Sequence, residues 1–259
     1  MSAPVDYQKN ARRARIRLLV IGVAVVALLV GGILLLTGGG ENSQKESPSA
    51  AKAPTSPSPS PSRLVMGRSG NWTPATSRHL RIPRSRGVKD GVSVGFHRGH
   101  IGGLMAAVRH QQELDILDDS IARRQMEAIV SRDSKESVDK YVSKVRKTRE
   151  AAGLPPSGGT PAGVTFTTQV KAARVRSVTD DGDVLEVWMA YDQYATLPGK
   201  PNDEDPLKDQ TTHVFYKWEG DDWKLTEEPQ YVEKTSYPRA WDPDSRYAWA
   251  DDWRLVDVE

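Results

Sequence analysis

From Leu18 to Gly40 the chain carries no charged side chain, and Leu18–Leu36 is almost wholly aliphatic with three glycines. As a helix, a run of this length covers roughly 28 Å, close to the hydrocarbon thickness of a bilayer. A helix satisfies its own backbone hydrogen bonds, so such a run can lie in lipid. Lys9, Arg12, Arg13, Arg15 and Arg17 stand directly before it, and no base follows until Lys45. The positive-inside bias therefore predicts a cytoplasmic basic tail over 1–17 and a transmembrane helix over 18–37, with everything beyond it extracytoplasmic. A cleaved signal peptide is the competing expectation. Its apolar core would be about 7–15 residues long and followed by a small-residue cleavage site. The one such site, Ala51-Lys52-Ala53, precedes Pro54 and lies far downstream.

Residues 38–62 hold Gly38-Gly39-Gly40 and an alternating Pro/Ser stretch from Pro54 to Pro61. No apolar period runs through them, so nothing there offsets the entropy of ordering. The expectation is a disordered, semi-extended linker. The whole chain has 36 Lys+Arg against 34 Asp+Glu, but the two signs are segregated. Residues 63–110 carry nine bases and one acid, and residues 161–259 carry 11 bases and 21 acids. Residues 63–98 read as a basic lead-in, with Arg78, Arg81, Arg84 and Arg86 among Gly, Ser and Pro. Two uses are open to it. It pairs with the acidic C-terminal half, or it seeks an anionic surface outside the chain.

The period becomes helical after residue 98. Ile101, Leu104, Met105 and Val108, continued by Leu114, Leu117 and Ile121, share a helical face. Met126, Ile129 and Val130 mark another turn. Val138, Tyr141, Val142 and Val145 form a further stripe, capped at Asp133 or Ser134 and ended by Gly153. Two or three helices are expected across 99–152, and Gly102-Gly103 marks a spot of close approach. Beyond the loop at 157–163 the period falls to two. Val164–Ala172 alternates, with a phase slip near Ala173 that predicts a bulge. Asp180-Asp181-Gly182-Asp183 turns the chain into a strand with Leu185, Val187, Met189 and Tyr191 on one face. A polar loop spans 198–210, and Thr211–Trp218 and Trp223–Thr226 form the closing hairpin. The expected fold class is α+β: helices first, then a curved antiparallel sheet, over residues 99–226.

Chemistry-bearing motifs are sparse. There is no cysteine, which excludes disulfides, thiolate catalysis and Cys-ligated metal. His97 and His100 are three apart, but Gly99 interrupts them and no third ligand lies nearby. Asp180–Asp183 lacks the spacing and terminal Glu of a calcium loop. Asp192 falls out of phase with Met189 and Tyr191, as a general base reaching the interior or as a plain solvent-facing carboxylate. No catalytic, cofactor-binding or metal residues are assigned, and no cofactor is expected. Residues 227–259 form an aromatic, acidic segment with Trp241, Trp249 and Trp253. These aromatics either fold back to complete the core or present an arm to a partner.

The run from Trp218 to Leu225, an aromatic, an acidic-Gly turn and a Trp opening the last strand, resembles the closing hairpin of nuclear-transport-factor-2-like (NTF2-like) cones. Gly91–Phe96 followed by Gly103–Ala107 is similar to the start of membrane domains from actinomycetes. Tail, membrane helix, spacer and cone together resemble anchored actinobacterial proteins of the conjugation and type IV secretion type. The resemblance covers residues 91–226 and implies a single-pass bacterial membrane protein acting as a non-enzymatic scaffold. Cone enzymes of that superfamily carry a pocket Asp, His or Tyr, and none maps here. The alternatives are a cone-fold enzyme or small-ligand binder, and an envelope polymer-binding module. Expected partners are the membrane, proteins of a membrane complex and a second copy of the chain; nucleic acid is not expected. Arg78, Arg81, Arg84, Arg86, Trp241, Trp249 and Trp253 are the candidate partner contacts.

Overall fold

The computed structural model describes residues 72–199, 203 and 206–259. The basic tail, the membrane run and the Pro/Ser linker lie outside the described residues. Among the described residues, no helix is long and apolar enough to cross a membrane.

The architecture is α+β, three helices followed by a curved, antiparallel-rich sheet. Three short strands come first: β1 (Leu80–Ile82), β2 (Gly87–Lys89) and β3 (Val92–Val94). Helices α1 (His100–Glu113), α2 (Asp119–Ile129) and α3 (Glu136–Ala151) follow. The long strands β4 (Thr165–Ser177), β5 (Val184–Thr196) and β6 (Leu207–Glu219) lead into β7 (Asp222–Thr226). The chain ends with short helices α4 (Pro229–Val232) and α5 (Arg246–Ala250) and strand β8 (Arg254–Val258). The main sheet has the order β1-β8-β4-β5-β6-β7, and β2 and β3 form a separate hairpin.

Several boundaries differ from the sequence expectation. The apolar stripe through Leu114 and Leu117 does not prolong α1. Asp118 caps a new helix there, its carboxylate accepting from the Ser120 and Ile121 N–H groups. Residues Arg132–Ser134 make a 3-10 turn, so α3 starts later, with Lys135 before it. The bulge in β4 falls between Val170 and Ala172. A second register break, between Tyr191 and Gln193, bends β5 against β6. β6 starts at Leu207, inside the expected loop.

The lead-in is ordered by the far end of the chain. β1 pairs in parallel with β8, with Leu80 opposite Val256 and Ile82 opposite Val258. β8 in turn pairs with β4 at Ala172 and Ala173. The main core lies in the concavity, where α1 packs Leu104, Ala107 and Val108 against Leu185, Val187, Met189, Tyr216 and Trp223. Gly103 permits this contact, and Gly102 makes room for the backbone that enters α1. A Cβ on Gly102 would lie 1.6 Å from the His97 carbonyl oxygen, and one on Gly103 2.4 Å from Leu185 Cδ1. A smaller core forms on the convex face, where Ala172 and Ala190 meet Ala248 and Trp253 of the C-terminal segment.

Candidate functional site

The concave interior is the natural place for a ligand in a curved sheet backed by helices. Here the chain's own side chains fill it. His110, 2% exposed, sits at its centre on α1. Its Nε2 lies 2.7 Å from the Ser93 carbonyl oxygen, which can only accept, so Nε2 carries the proton. Nδ1 is therefore the acceptor for the Tyr216 hydroxyl, also at 2.7 Å. Burial, opposed by the Ser93 hydrogen bond, holds the His110 pKa down at about 4. Burial pushes the Tyr216 phenol well above its ordinary value. Glu113 completes the network, accepting from Ser93 N–H at 2.6 Å and Ser93 Oγ–H at 2.7 Å. This neutral His–Tyr pair is sealed from solvent. It ties α1 to β3 and β6.

At the open end of the concavity a small pocket remains, of about 80 Å³, lined by residues that include Gln111, Tyr141, Lys144, Tyr191 and Gln193. That is room for a few water molecules. Tyr141 donates its hydroxyl to the Asp115 carbonyl oxygen at 3.1 Å, and burial pushes the Lys144 pKa down. Gln193 donates through Nε2 to Thr168 Oγ1 at 3.0 Å, and its Oε1 is a buried acceptor without a donor. Among the described residues, no carboxylate lines this pocket.

Asp192 falls between Tyr191 and Gln193, which both line the mouth, and it does not line that pocket. It accepts from the Asp209 N–H at 2.8 Å and lies 2.8 Å from Lys171 Nζ. Burial works to raise its pKa, but these bonds hold it below the usual carboxylate range. A carboxylate so stabilised in its charged form is a weak base. It occupies the β5 register break, and Lys171 occupies the β4 bulge, so the ion pair pins two irregularities together. His97 is hydrogen-bonded to Arg86, and His100 to Ser177. Among the described residues, no three His, Asp or Glu side chains are grouped to hold a metal ion.

The predicted partner contacts divide. Arg78, Arg81, Arg84 and Arg86 are all exposed. Arg86 turns back to His97, and no ion pair is formed by Arg78, Arg81 or Arg84 among the described residues. Trp253 is 1% exposed within the convex core, and Trp241 leans on it with ring centroids 5.7 Å apart. Trp249 stacks on Trp72 at 5.7 Å, with the Arg254 guanidinium 3.4 Å above its ring. These three Trp side chains thus pack within the domain, while Tyr237 and Tyr247 stay exposed.

No family model, no curated protein and no solved structure matches this chain.

Sequence reasoning missed the His110 network and a polar row on the convex face. His110 was legible in principle, since Gly103, Ala107 and His110 fall at i, i+4 and i+7 on the buried side of α1. The convex row runs Arg174, Trp188 and His213 across β4, β5 and β6. Trp188 and His213 stack with centroids 4.4 Å apart. No sequence signal joins these three residues, because only the strand register brings them together.

Proposed function

We propose that the chain is a single-pass, membrane-anchored protein whose extracytoplasmic domain, an NTF2-like cone, serves as a scaffold in a membrane complex of the conjugative-transfer or secretion kind. The observation that carries this reading is the filled concavity. Substrate pockets usually enclose about 300–1,000 Å³ with a few convergent polar groups. Here Leu104, Met189, Tyr216 and Trp223 occupy that space, and about 80 Å³ remains at the mouth. A cone with a packed interior offers its outer surfaces to other molecules. The anchor is supported by the uncharged run at 18–37 and the bases before it. The kind of complex is supported by the resemblance of the tail–helix–spacer–cone layout.

The test uses the full chain in its membrane. A protease added from outside should remove residues 72–259 and leave the basic tail protected. Lysine-reactive cross-linking followed by membrane extraction should then give a discrete species larger than the 28.6 kDa chain. A mature N-terminus between residues 38 and 62 overturns the anchor. A cross-linked sample that runs only as the single chain overturns the scaffold.

A further inference from the structure

The C-terminal segment does not lie flush on the convex face. Between it and β4 a cleft of about 320 Å³ opens, lined by Arg174, Ser236, Tyr237, Pro238, Arg239 and Asp251. Charges around it are nearly matched. Arg176 lies 2.5 Å from Glu186, Arg239 3.6 Å from Asp251 and Arg254 3.1 Å from Asp252. Arg174 is the exception, a guanidinium on the cleft wall that forms no ion pair among the described residues. Its Nη1 donates to Ser236 Oγ at 3.2 Å, and its Nε is a buried donor without an acceptor. Directly across the strand pair, Trp188 Nε1 is a second buried donor without an acceptor. Two orphan N–H groups on paired residues are each destabilising, and such groups call for a missing acceptor. Tyr237, 72% exposed, covers Trp188 only by its edge, with ring centroids 6.1 Å apart.

We infer that this cleft is a carboxylate-binding site, and that it takes an acidic segment of a partner protein. That the carboxylate comes from a protein rests on the scaffold proposed above; the carboxylate itself rests on the cleft. Arg174 feels the carboxylates of Glu186, Asp251 and Asp252 but bonds none of them, so four guanidiniums, those of Arg174, Arg176, Arg239 and Arg254, face three carboxylates. One further negative charge balances the set, and Asp251 on the cleft wall disfavours a dianion. A planar carboxylate matches the edge of a guanidinium and accepts two N–H bonds at once. Trp, Tyr and Arg around a partly closed cleft are the residue types that dominate protein–protein binding energy.

The full chain in detergent micelles, labelled with ¹⁵N at its indole nitrogens, is titrated with hexaglutamate, with hexaglutamine and with inorganic phosphate. Hexaglutamate should bind saturably and move the Trp188 indole resonance, identified from the W188F spectrum. R174Q should weaken binding about tenfold or more, as expected for loss of a charge-assisted pair. Y237A should weaken it less, and K147Q, at an exposed position of α3, should leave it unchanged. If R174Q does not fold, R174K decides, because it keeps the charge but loses the fork: weakened binding supports the site, and unchanged binding overturns it. No saturable binding, or equal binding of hexaglutamate by folded R174Q, overturns the site. Phosphate binding as tightly as hexaglutamate overturns the acidic segment. Peptide binding by a chain that never cross-links into an assembly sinks the scaffold and leaves the site standing. Assembly without peptide binding does the reverse.

Discussion

Gly102 lets the segment entering α1 fold back over the helix's first turn. With a Cβ there only 1.6 Å from a backbone oxygen, no rotamer change relieves the overlap. G102A should therefore lose about 3 kcal/mol in urea unfolding, at the upper end of overpacking penalties. G103A meets a flexible Leu185 methyl and should lose less. His110 sets a second expectation. Its folded pKa of about 4 is below the ordinary 6.5, so the folded state binds fewer protons between those values than the unfolded chain. Stability contributed by the neutral ring is full above pH 6.5 and falls as pH drops towards 4, by about 3 kcal/mol in all. H110Q should flatten that part of the stability profile. A wild-type profile already flat from pH 6.5 to 4 would show that the ring is not held neutral. The glycine pair was readable from the sequence as a place of close approach. The His110–Tyr216 bond was not, because it joins residues 106 apart.

At the scale of elements, local periodicity carried most of the helices and the two long hairpins. It failed where tertiary partners set the boundary. The stripe through Leu114 and Leu117 fits a longer α1, yet Asp115 and Asp118 take up nearby N–H groups and break the helix there. Asp119 then fastens the loop beyond α3. It accepts from Gly158 N–H at 2.9 Å, Ser157 Oγ–H at 2.9 Å and Arg146 Nε at 3.0 Å. The Gly158 bond first, against the effect of burial, holds its pKa at about 2. This contribution is present above pH 3.8 and is lost as pH falls through 2. D119N should cost about 1–2 kcal/mol at neutral pH, discounted for the half-exposed Arg146, and make the 157–163 loop an early site of proteolysis. Strand β1 was not legible at all, since three residues in a basic, Pro-flanked stretch have no period of their own. Its order depends on β8. Removing residues 254–259 should expose Ile82 and let trypsin cut at Arg78, Arg81 and Arg84 well before it enters the sheet. Unchanged cleavage rates would mean that the lead-in holds without its partner strand.

For the whole molecule, the segregation of charge along the sequence is partly cancelled by the fold. Arg98 and Asp183 form an ion pair at 2.5 Å and His79 is hydrogen-bonded to Asp257 at 3.0 Å, which joins the basic lead-in to the acidic half within one chain. Both contacts are exposed, so water and salt screen them and neither adds much to stability. Raising salt from about 0.05 M to about 0.5 M should therefore lower the melting temperature by less than roughly 4 °C. A fall beyond about 10 °C would mean that charge pairing, and not the core, holds the lead-in to the sheet.

The parallel pairing of β1 with β8 also has a mechanical meaning. The first and last strands among the described residues lie side by side, Leu80 beside Val256. A pull on the chain entering β1, opposed by a load held at the end of β8, runs along the strands in opposite senses. That is shear: the hydrogen bonds between the two strands share the load and cannot be opened one after another. The long ladder of β4, β5 and β6 lies outside this load path. Under tension the first event should be β1 sliding off β8, with the rest of the sheet intact, at a force set by a contact of three residue pairs. Such a domain lengthens under load by releasing a short segment and takes it back when the load is removed.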